Sequence, residues 1–414
     1  MEYRIISGSA DRLNRWIAVA LGFTIPISTA LDNTLLGLLA ILWILGAGFR
    51  EKWRQIKKNP PALTSLALFA LLALGLLYTK SNLWDALRYF AKYKELLLIA
   101  LLIPLFGDEA TRRRGLSAFS LALVLTLLGS CAISLRLIPE YFFMAAKPTL
   151  PGIFNASTFK LPITHNILMA IAAFLFAQIA RHSPATLMRI FWGALSVLAL
   201  FNVLFVVQGR TGYLIVALLM VYFCFDLFKW KGLVLAAMLV TVLSAGAYFG
   251  SDVFRSRVTK AANEFSQWHP DKPASILDSV GLRMEWYRNS LSIIRDHPVF
   301  GVGTGGFAKV YAEKFTSTEP VNNPHNQYLL TAVDLGLLGL GTLLYLFYVQ
   351  WRLARRLPSE LERSLAHGLL LAIMSGCLFN SLLLDHTEGL LYGWLSGLLY
   401  AGLRTPTYNV QIST

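Results

Sequence analysis

Three side chains at the edges of apolar runs hold most of the chemical potential of this chain. Arg210 stands in Gln208-Gly209-Arg210-Thr211-Gly212-Tyr213, a short interruption between two long apolar runs. An arginine at a membrane turn is costly unless it snorkels, pairs with a carboxylate or meets an anionic ligand, and the sequence leaves all three open. The turn itself favours glycine, so Gly209 and Gly212 call for no further reason. Arg283 follows Asp278-Ser279, a good N-cap pair, in the stretch 280–296, where Leu282, Trp286 and Ile293 recur at helical spacing. It lies beside that apolar stripe, so it either reaches headgroup level or points into a pocket roofed by the helix; Arg288 falls on the far face. His325, in Asn322-Asn323-Pro324-His325-Asn326-Gln327, is expected at a helix start, because Pro324 restricts its neighbour and presets the turn. There it is either a structural cap or a base. Guanidinium forks bind phosphate oxygens in bidentate fashion, and a neutral imidazole, with a reference pKa of about 6.5, can take a proton from a hydroxyl. Arg136 and the pair Asp385-His386 are lesser candidates, each first an interface residue.

What must position these groups is a membrane domain. Hydrophobic residues make up 56% of 414 positions and charged residues 14%, with a mean hydropathy of +0.55, too apolar for a soluble surface. Twelve apolar runs lie near 15–31, 34–49, 61–79, 93–106, 116–136, 163–180, 190–207, 212–228, 232–249, 326–349, 364–383 and 389–403. The expected fold is an all-α polytopic membrane protein of about 12 spans, with residues 1–414 as one domain. The first run lacks a cleavage-site pattern and reads as a retained span. Alternate connections hold 20 Lys and Arg, including the cluster from Arg50 to Lys58 and Arg352, Arg355, Arg356 and Arg363, against 8 on the others. The bias places both termini in the cytoplasm and accounts for the net charge of +14 without nucleic acid. Residues 250–325 then form a long outer connection that should contain helices and function, and 137–162 a shorter one rich in proline and aromatics. The glycines of 297–307, HPVFGVGTGGF, follow a helix rather than a strand, which rules out a dinucleotide loop and leaves a tight turn approaching the membrane surface. Cys131, Cys224 and Cys377 sit singly in apolar runs, without a CxxC pair.

Together, Gly209-Arg210-Thr211-Gly212, then Arg283-Met284-Glu285-Trp286-Tyr287 leading to His297-Pro298-Val299-Phe300-Gly301-Val302-Gly303, then Pro324-His325-Asn326-Gln327-Tyr328-Leu329 with Leu335-Gly336-Leu337-Leu338-Gly339 behind it, resemble the bacterial O-antigen ligase/polymerase superfamily. The match covers 200–340; the other spans agree only in hydropathy. The resemblance implies a GT-C-type glycosyltransferase of the inner membrane, working on the periplasmic face without metal or cofactor. Its donor would be an undecaprenyl-pyrophosphate-linked glycan and its acceptor the lipid A-core oligosaccharide, among membrane lipids. Arg210 and Arg283 would clamp pyrophosphate, His325 would serve as base, and transfer would invert the anomeric centre. Arg136, Arg288, Asn326 and Asp385 are expected to help bind substrate. Metal-dependent enzymes of similar architecture use outer-face carboxylates, whereas here the first outer loop is Leu31-Asp32-Asn33 and the long loop has no D-x-D or E-x-x-H.

Within the same class stand an O-antigen polymerase and a protein O-oligosaccharyltransferase; the latter usually adds an outer C-terminal domain, and few residues follow the last run here. A lipid or glycan transporter is a different class. Transporters place ionisable groups at mid-membrane, whereas Asp226, Asp334 and His367 are isolated or near run ends. The orientation has a direct test. Cysteines placed in 250–325 should react with an impermeant reagent in spheroplasts, and one near Glu51 should not; labelling near Glu51 would reverse the topology.

Overall fold

The computed structural model describes residues 2–46, 48–139, 142, 156–207, 209–269, 279–315 and 321–403. Among them all regular structure is helical. The first nine helices are α1 (Glu2–Thr24), α2 (Thr29–Leu45), α3 (Phe49–Lys57), α4 (Pro60–Gly75), α5 (Leu83–Ala91), α6 (Glu95–Leu102), α7 (Glu109–Ser134), α8 (Pro162–His182) and α9 (Thr186–Phe201). There follow α10 (Arg210–Phe228), α11 (Trp230–Gly250), α12 (Asp252–Gln267), α13 (Ser279–Asp296), α14 (Phe307–Lys314), α15 (Gln327–Ala354), α16 (Glu360–Gly376) and α17 (His386–Tyr400). The chain is an all-α polytopic membrane protein.

Each of the twelve apolar runs falls wholly or partly on helix, and among the described residues seven helical stretches are long and apolar enough to cross a bilayer unaided. These are Pro60–Tyr78, Glu109–Ser134, Pro162–His182, Thr186–Val206, Arg210–Phe228, Trp230–Gly250 and Gln327–Ala354. Three runs end differently from expectation. The run 93–106 yields only the eight residues of α6. The run 364–383 stops at Gly376, and 377–385 is irregular backbone. The run 15–31 breaks after Thr24, so the first outer turn is 25–28, while Leu31, Asp32 and Asn33 already belong to α2. In each case hydropathy alone could not see the break, because the broken segment is itself largely apolar. Between α11 and α15 the chain forms α12, α13 and α14, in line with the helices expected there.

The short helices survive because they are interior. From Thr387 to Tyr400 every residue of α17 is buried, as befits a helix apolar on all sides. Gly393 and Gly397 let it approach α6, where a Cβ would lie 2.4 Å from the Glu95 carbonyl oxygen and 2.7 Å from Leu102 Cβ. Trp394, fully buried, packs over Gly22 of α1 and Gly115 of α7, and its indole N–H donates to the Ala18 carbonyl at 2.8 Å.

A second constraint governs the outer side. α15 is broken at Gly336, whose φ of 66° and ψ of −164° leave the helical region. The glycine segment 297–307 fills the break instead of merely turning at the surface. Val302 N–H donates to Val333 O, Gly303 N–H to Asp334 O, and Leu337 N–H to Pro298 O, all at 2.8–2.9 Å. The same segment reaches α4: Thr304 N–H donates to Gly75 O at 3.1 Å and its hydroxyl to Leu72 O at 2.6 Å. Asp334, a mid-membrane candidate in the sequence, accepts the Gly305 N–H at 3.3 Å and so has a structural use. At Gly336 a Cβ would sit 2.2 Å from Val299 O. Gly336→Ala should therefore cost about 3 kcal/mol or more, combining strain in a glycine-only backbone region with the clash. Gly341→Ala, in the same helix with nothing within 4 Å, should be neutral or mildly stabilising. Thermal unfolding of the two purified variants checks the contrast.

Candidate active site

Three segments far apart in sequence supply the cluster around Arg210, Arg283 and His325. The first is the start of α10. Before it, α9 passes into a π-turn over Asn202–Val206, which frees carbonyls from the regular ladder. Asn166 of α8 captures two of them, donating its amide to Val203 O at 3.3 Å and to Val207 O. Gly212 is what admits Asn166, since a Cβ there would lie 1.6 Å from Asn166 Oδ1. The glycine thus has a packing reason that turn statistics did not reveal. α10 opens at Arg210 after Gly209, with no side chain capping its first amides. Among the described residues Arg210 donates to Ser279 Oγ, at the first residue of α13, at 3.3 Å.

The second segment is α13. Ile293 is buried and Trp286 packs on the core, so the expected apolar stripe faces inward; Asp278 lies outside the described residues. Arg283 is partly buried at the stripe's edge. Among the described residues its guanidinium has no hydrogen-bonded or ion-paired partner, and its pKa is lowered by desolvation, with the charge of Arg210 adding to the effect. Glu264 pulls the other way but is shared with Lys260, 3.6 Å away, and accepts the Val280 N–H at 3.1 Å. Among the described residues, two like charges thus stand near each other with no carboxylate paired to either, beside the uncapped end of a helix. That arrangement suits an anion.

The third segment surrounds His325. Asn323 Oδ1 accepts the His325 N–H at 2.8 Å, an Asx-turn that holds the histidine at a φ of 51°. Asn326 then caps α15, its Oδ1 accepting from Tyr328 and Leu329 N–H at 3.0 Å each. The imidazole lies against the Trp286 ring, 5.2 Å between centroids and tilted by 32°. Desolvation lowers its pKa below the usual 6.5, and the Arg283 charge lowers it further, so it is neutral near pH 7. A strained backbone at a polar, partly buried histidine is the pattern of a functional position rather than a plain cap.

The irregular segment 377–385 ties the three together, and sequence reasoning missed it by reading it as the end of a span. Leu378 O accepts the Tyr287 hydroxyl at 2.8 Å and the Asn326 amide at 3.0 Å. Asn380 donates to the Thr211 hydroxyl at 2.9 Å, next to Arg210, and the Ser381 hydroxyl donates to Asn323 Oδ1 at 3.2 Å. The only signal for it was the polar pair Asn380-Ser381 inside an otherwise apolar run.

The other expected site residues fare differently. Asn326 is brought into the cluster as cap and tether. Arg288 lies on the exposed face of α13, about 140° round the helix from Arg283. Arg136 is exposed at the end of α7, with a φ of 58°, closing that helix through its own N–H to Ile133 O. Residues 140, 141 and 143–155 of the neighbouring outer connection lie outside the described residues, as does Gln208. Asp385 occupies the exposed N-cap position of α17. Its neighbour His386 joins a separate ion network, 3.3 Å from Glu95 Oε1 and 3.8 Å from Asp32 Oδ2, with Lys160 3.6 Å from Asp32. This network binds the outer ends of α2, α6 and α17 to the segment before α8. Among the described residues no three His, Cys, Asp or Glu side chains converge in a metal-binding group.

Comparison with curated proteins finds no match. Residues 194–344 match the family model described as O-antigen ligase, a stretch that contains Arg210, Arg283 and His325.

Proposed function

We propose that the chain transfers O-antigen glycan from undecaprenyl pyrophosphate to the lipid A-core oligosaccharide on the periplasmic face of the inner membrane. The observation that carries this reading is the unneutralised pair Arg210 and Arg283 beside a neutral, strained His325. The match of residues 194–344 to the O-antigen ligase family model supports a lipid-linked glycan and a lipid acceptor in general terms. The ligase reading adds the identities of both.

In this mechanism the pyrophosphate oxygens lie between the two guanidinium groups. As the bond from the sugar's anomeric carbon to the phosphate oxygen breaks, that oxygen gains negative charge. Planar forks fixed beforehand stabilise the charge without reorganising. The acceptor hydroxyl attacks the same carbon from the opposite face, which inverts it, and His325 takes the hydroxyl proton. Undecaprenyl pyrophosphate leaves, and the imidazolium returns its proton to solvent. Burial and Arg283 both favour the neutral imidazole, so the base is ready before donor binds. No metal is assigned a role.

Purified protein, given lipid-linked glycan and either lipid A-core or a second lipid-linked glycan, separates ligase from polymerase by product. His325→Ala should slow single-turnover transfer by about 10² to 10⁴ while leaving donor affinity nearly intact, as expected for loss of a general base. Arg210→Ala or Arg283→Ala should weaken donor binding, slow transfer, or both, and lysine should rescue poorly because it lacks the fork. Near-normal transfer by His325→Ala removes the histidine from the mechanism.

The pH dependence is a further expected outcome. Because the folded-state pKa of His325 is depressed, the base stays neutral as pH falls through 6.5 and is lost only below it. The acid limb of kcat/KM, which reports the free enzyme, should therefore lie below the ordinary histidine range. An acid limb at or above 6.5 contradicts the assignment.

A further inference from the structure

A cavity of about 490 Å³ opens between α8, α10, α15 and α16 at the end of the bundle opposite Arg210 and His325. The separation follows from α10 itself, since Arg210 and Asp226 lie near its two ends, about 24 Å apart at the helical rise. Four cationic side chains line the cavity, Arg181, Lys229, Arg355 and Arg363, against the carboxylates of Asp226 and Glu360. Asp226 is already engaged, paired with Arg181 and 3.4 Å from the Ser364 hydroxyl. Glu360 is exposed and 3.6 Å from His182. Among the described residues Arg355 has no hydrogen-bonded or ion-paired partner, and Arg363 uses only its Nε, donating to Leu357 O at 2.8 Å. Positive charge is therefore left over, on forks free to turn inward.

The walls are aromatic. The buried His367 ring lies 4.6 Å from Trp351 and 5.8 Å from Tyr222, and all three line the cavity. Beyond Glu360 a groove of about 850 Å³ continues along α7, α8 and α9, walled by Leu175, Phe191 and Trp192. Leu187 and Ile190 are exposed at the same end of α9, 71% and 63% respectively, so the surroundings are lipid-facing rather than aqueous. Cations and aromatic rings lining one cavity, backed by an apolar groove, match a molecule with an anionic head and hydrocarbon tails. We propose that this cavity binds an anionic glycerophospholipid, its phosphate held by Arg355 and Arg363 and its acyl chains lying towards the groove. A soluble phosphate would satisfy the arginines but would leave the groove without a purpose. The site is separate from the transfer chemistry and does not depend on it.

Native mass spectrometry of the full-length protein in detergent tests the proposal, with phosphatidylglycerol, phosphatidylcholine and inorganic phosphate offered separately. Phosphatidylglycerol should be retained in preference to phosphatidylcholine. The double variant Arg355→Ala/Arg363→Ala should weaken it by about 25-fold, roughly fivefold for each cation near an anionic head. A charge-matched control outside the cavity, Arg50→Ala/Arg352→Ala, should bind as the wild type does. Arg355→Glu alone, which breaks no contact in the fold, should also lose the lipid and guards against a folding artefact. Equal retention of both lipids, or equal loss in the control, overturns the site. Binding of inorganic phosphate that depends on the two arginines, without lipid selectivity, overturns the lipid assignment.

Discussion

Backbone hydrogen bonding in an apolar medium is the constraint on which the half of this molecule around His325 depends. Within a bilayer each unsatisfied amide or carbonyl costs several kcal/mol, so a broken helix persists only where other backbone groups complete it. At Gly336 the partners are those of the glycine segment, which enters as a plug and closes the ladder from Val333 to Leu337. The plug also grips the end of α4 through Thr304, while Lys80 N–H donates back to Val302 O at 2.9 Å. α13 ends directly before this plug, and α15 carries it. The distance from α13 to the start of α15 is thereby set by main-chain bonds rather than by exposed loops.

That rigidity matters because the cluster above it is electrostatically unfavourable. Arg210 and Arg283 repel each other, desolvation disfavours Arg283, and His325 sits in a left-handed backbone conformation. Isolated, such an arrangement would relax by rotating side chains outward to solvent. Here Trp286 and Tyr287 fix α13 against His325 and Leu378, Asn166 fixes the start of α10, and segment 377–385 spans all three. Strain and like-charge repulsion held in place by surrounding packing are what a preorganised anion site requires.

How far this was legible in the sequence varied with the kind of information involved. Membrane class, the helix over 279–296 and the inward face of Ile293 followed from composition and period, since burial along a helix is a local pattern. Arg210, Arg283 and His325 could be named because charge in an apolar chain is conspicuous. What could not be read was anything depending on two segments meeting in space. Gly212 looked like a turn glycine until Asn166 was seen against it. The plug at 297–307 looked like a surface turn because its partner is the backbone of α15, and backbone carries no sequence signal. Segment 377–385 was hidden for a related reason: Leu382, Leu383 and Leu384 are buried without being helical, so hydropathy could not separate them from a span.

The two ends of α10 make a final physical point about arginine in this fold. At one end Arg210 and Arg283 have no carboxylate partner among the described residues, whereas at the other Arg181 is locked to Asp226, with Ser364 and Lys229 close by. A guanidinium that is already neutralised contributes to packing and topology but gains little from a second anion. One left without a counter-ion keeps its affinity for phosphate. Among the described residues Arg210, Arg283 and Arg355 are arginines at these two ends left without a carboxylate partner. Arg181, and likewise Arg112, buried against Glu362 at 2.8 Å, belong to the scaffold. Counting basic residues assigns all of these side chains to topology alike. Asking which of them folding has left unpaired separates the groups that orient the protein in a membrane from those that can act on something within it.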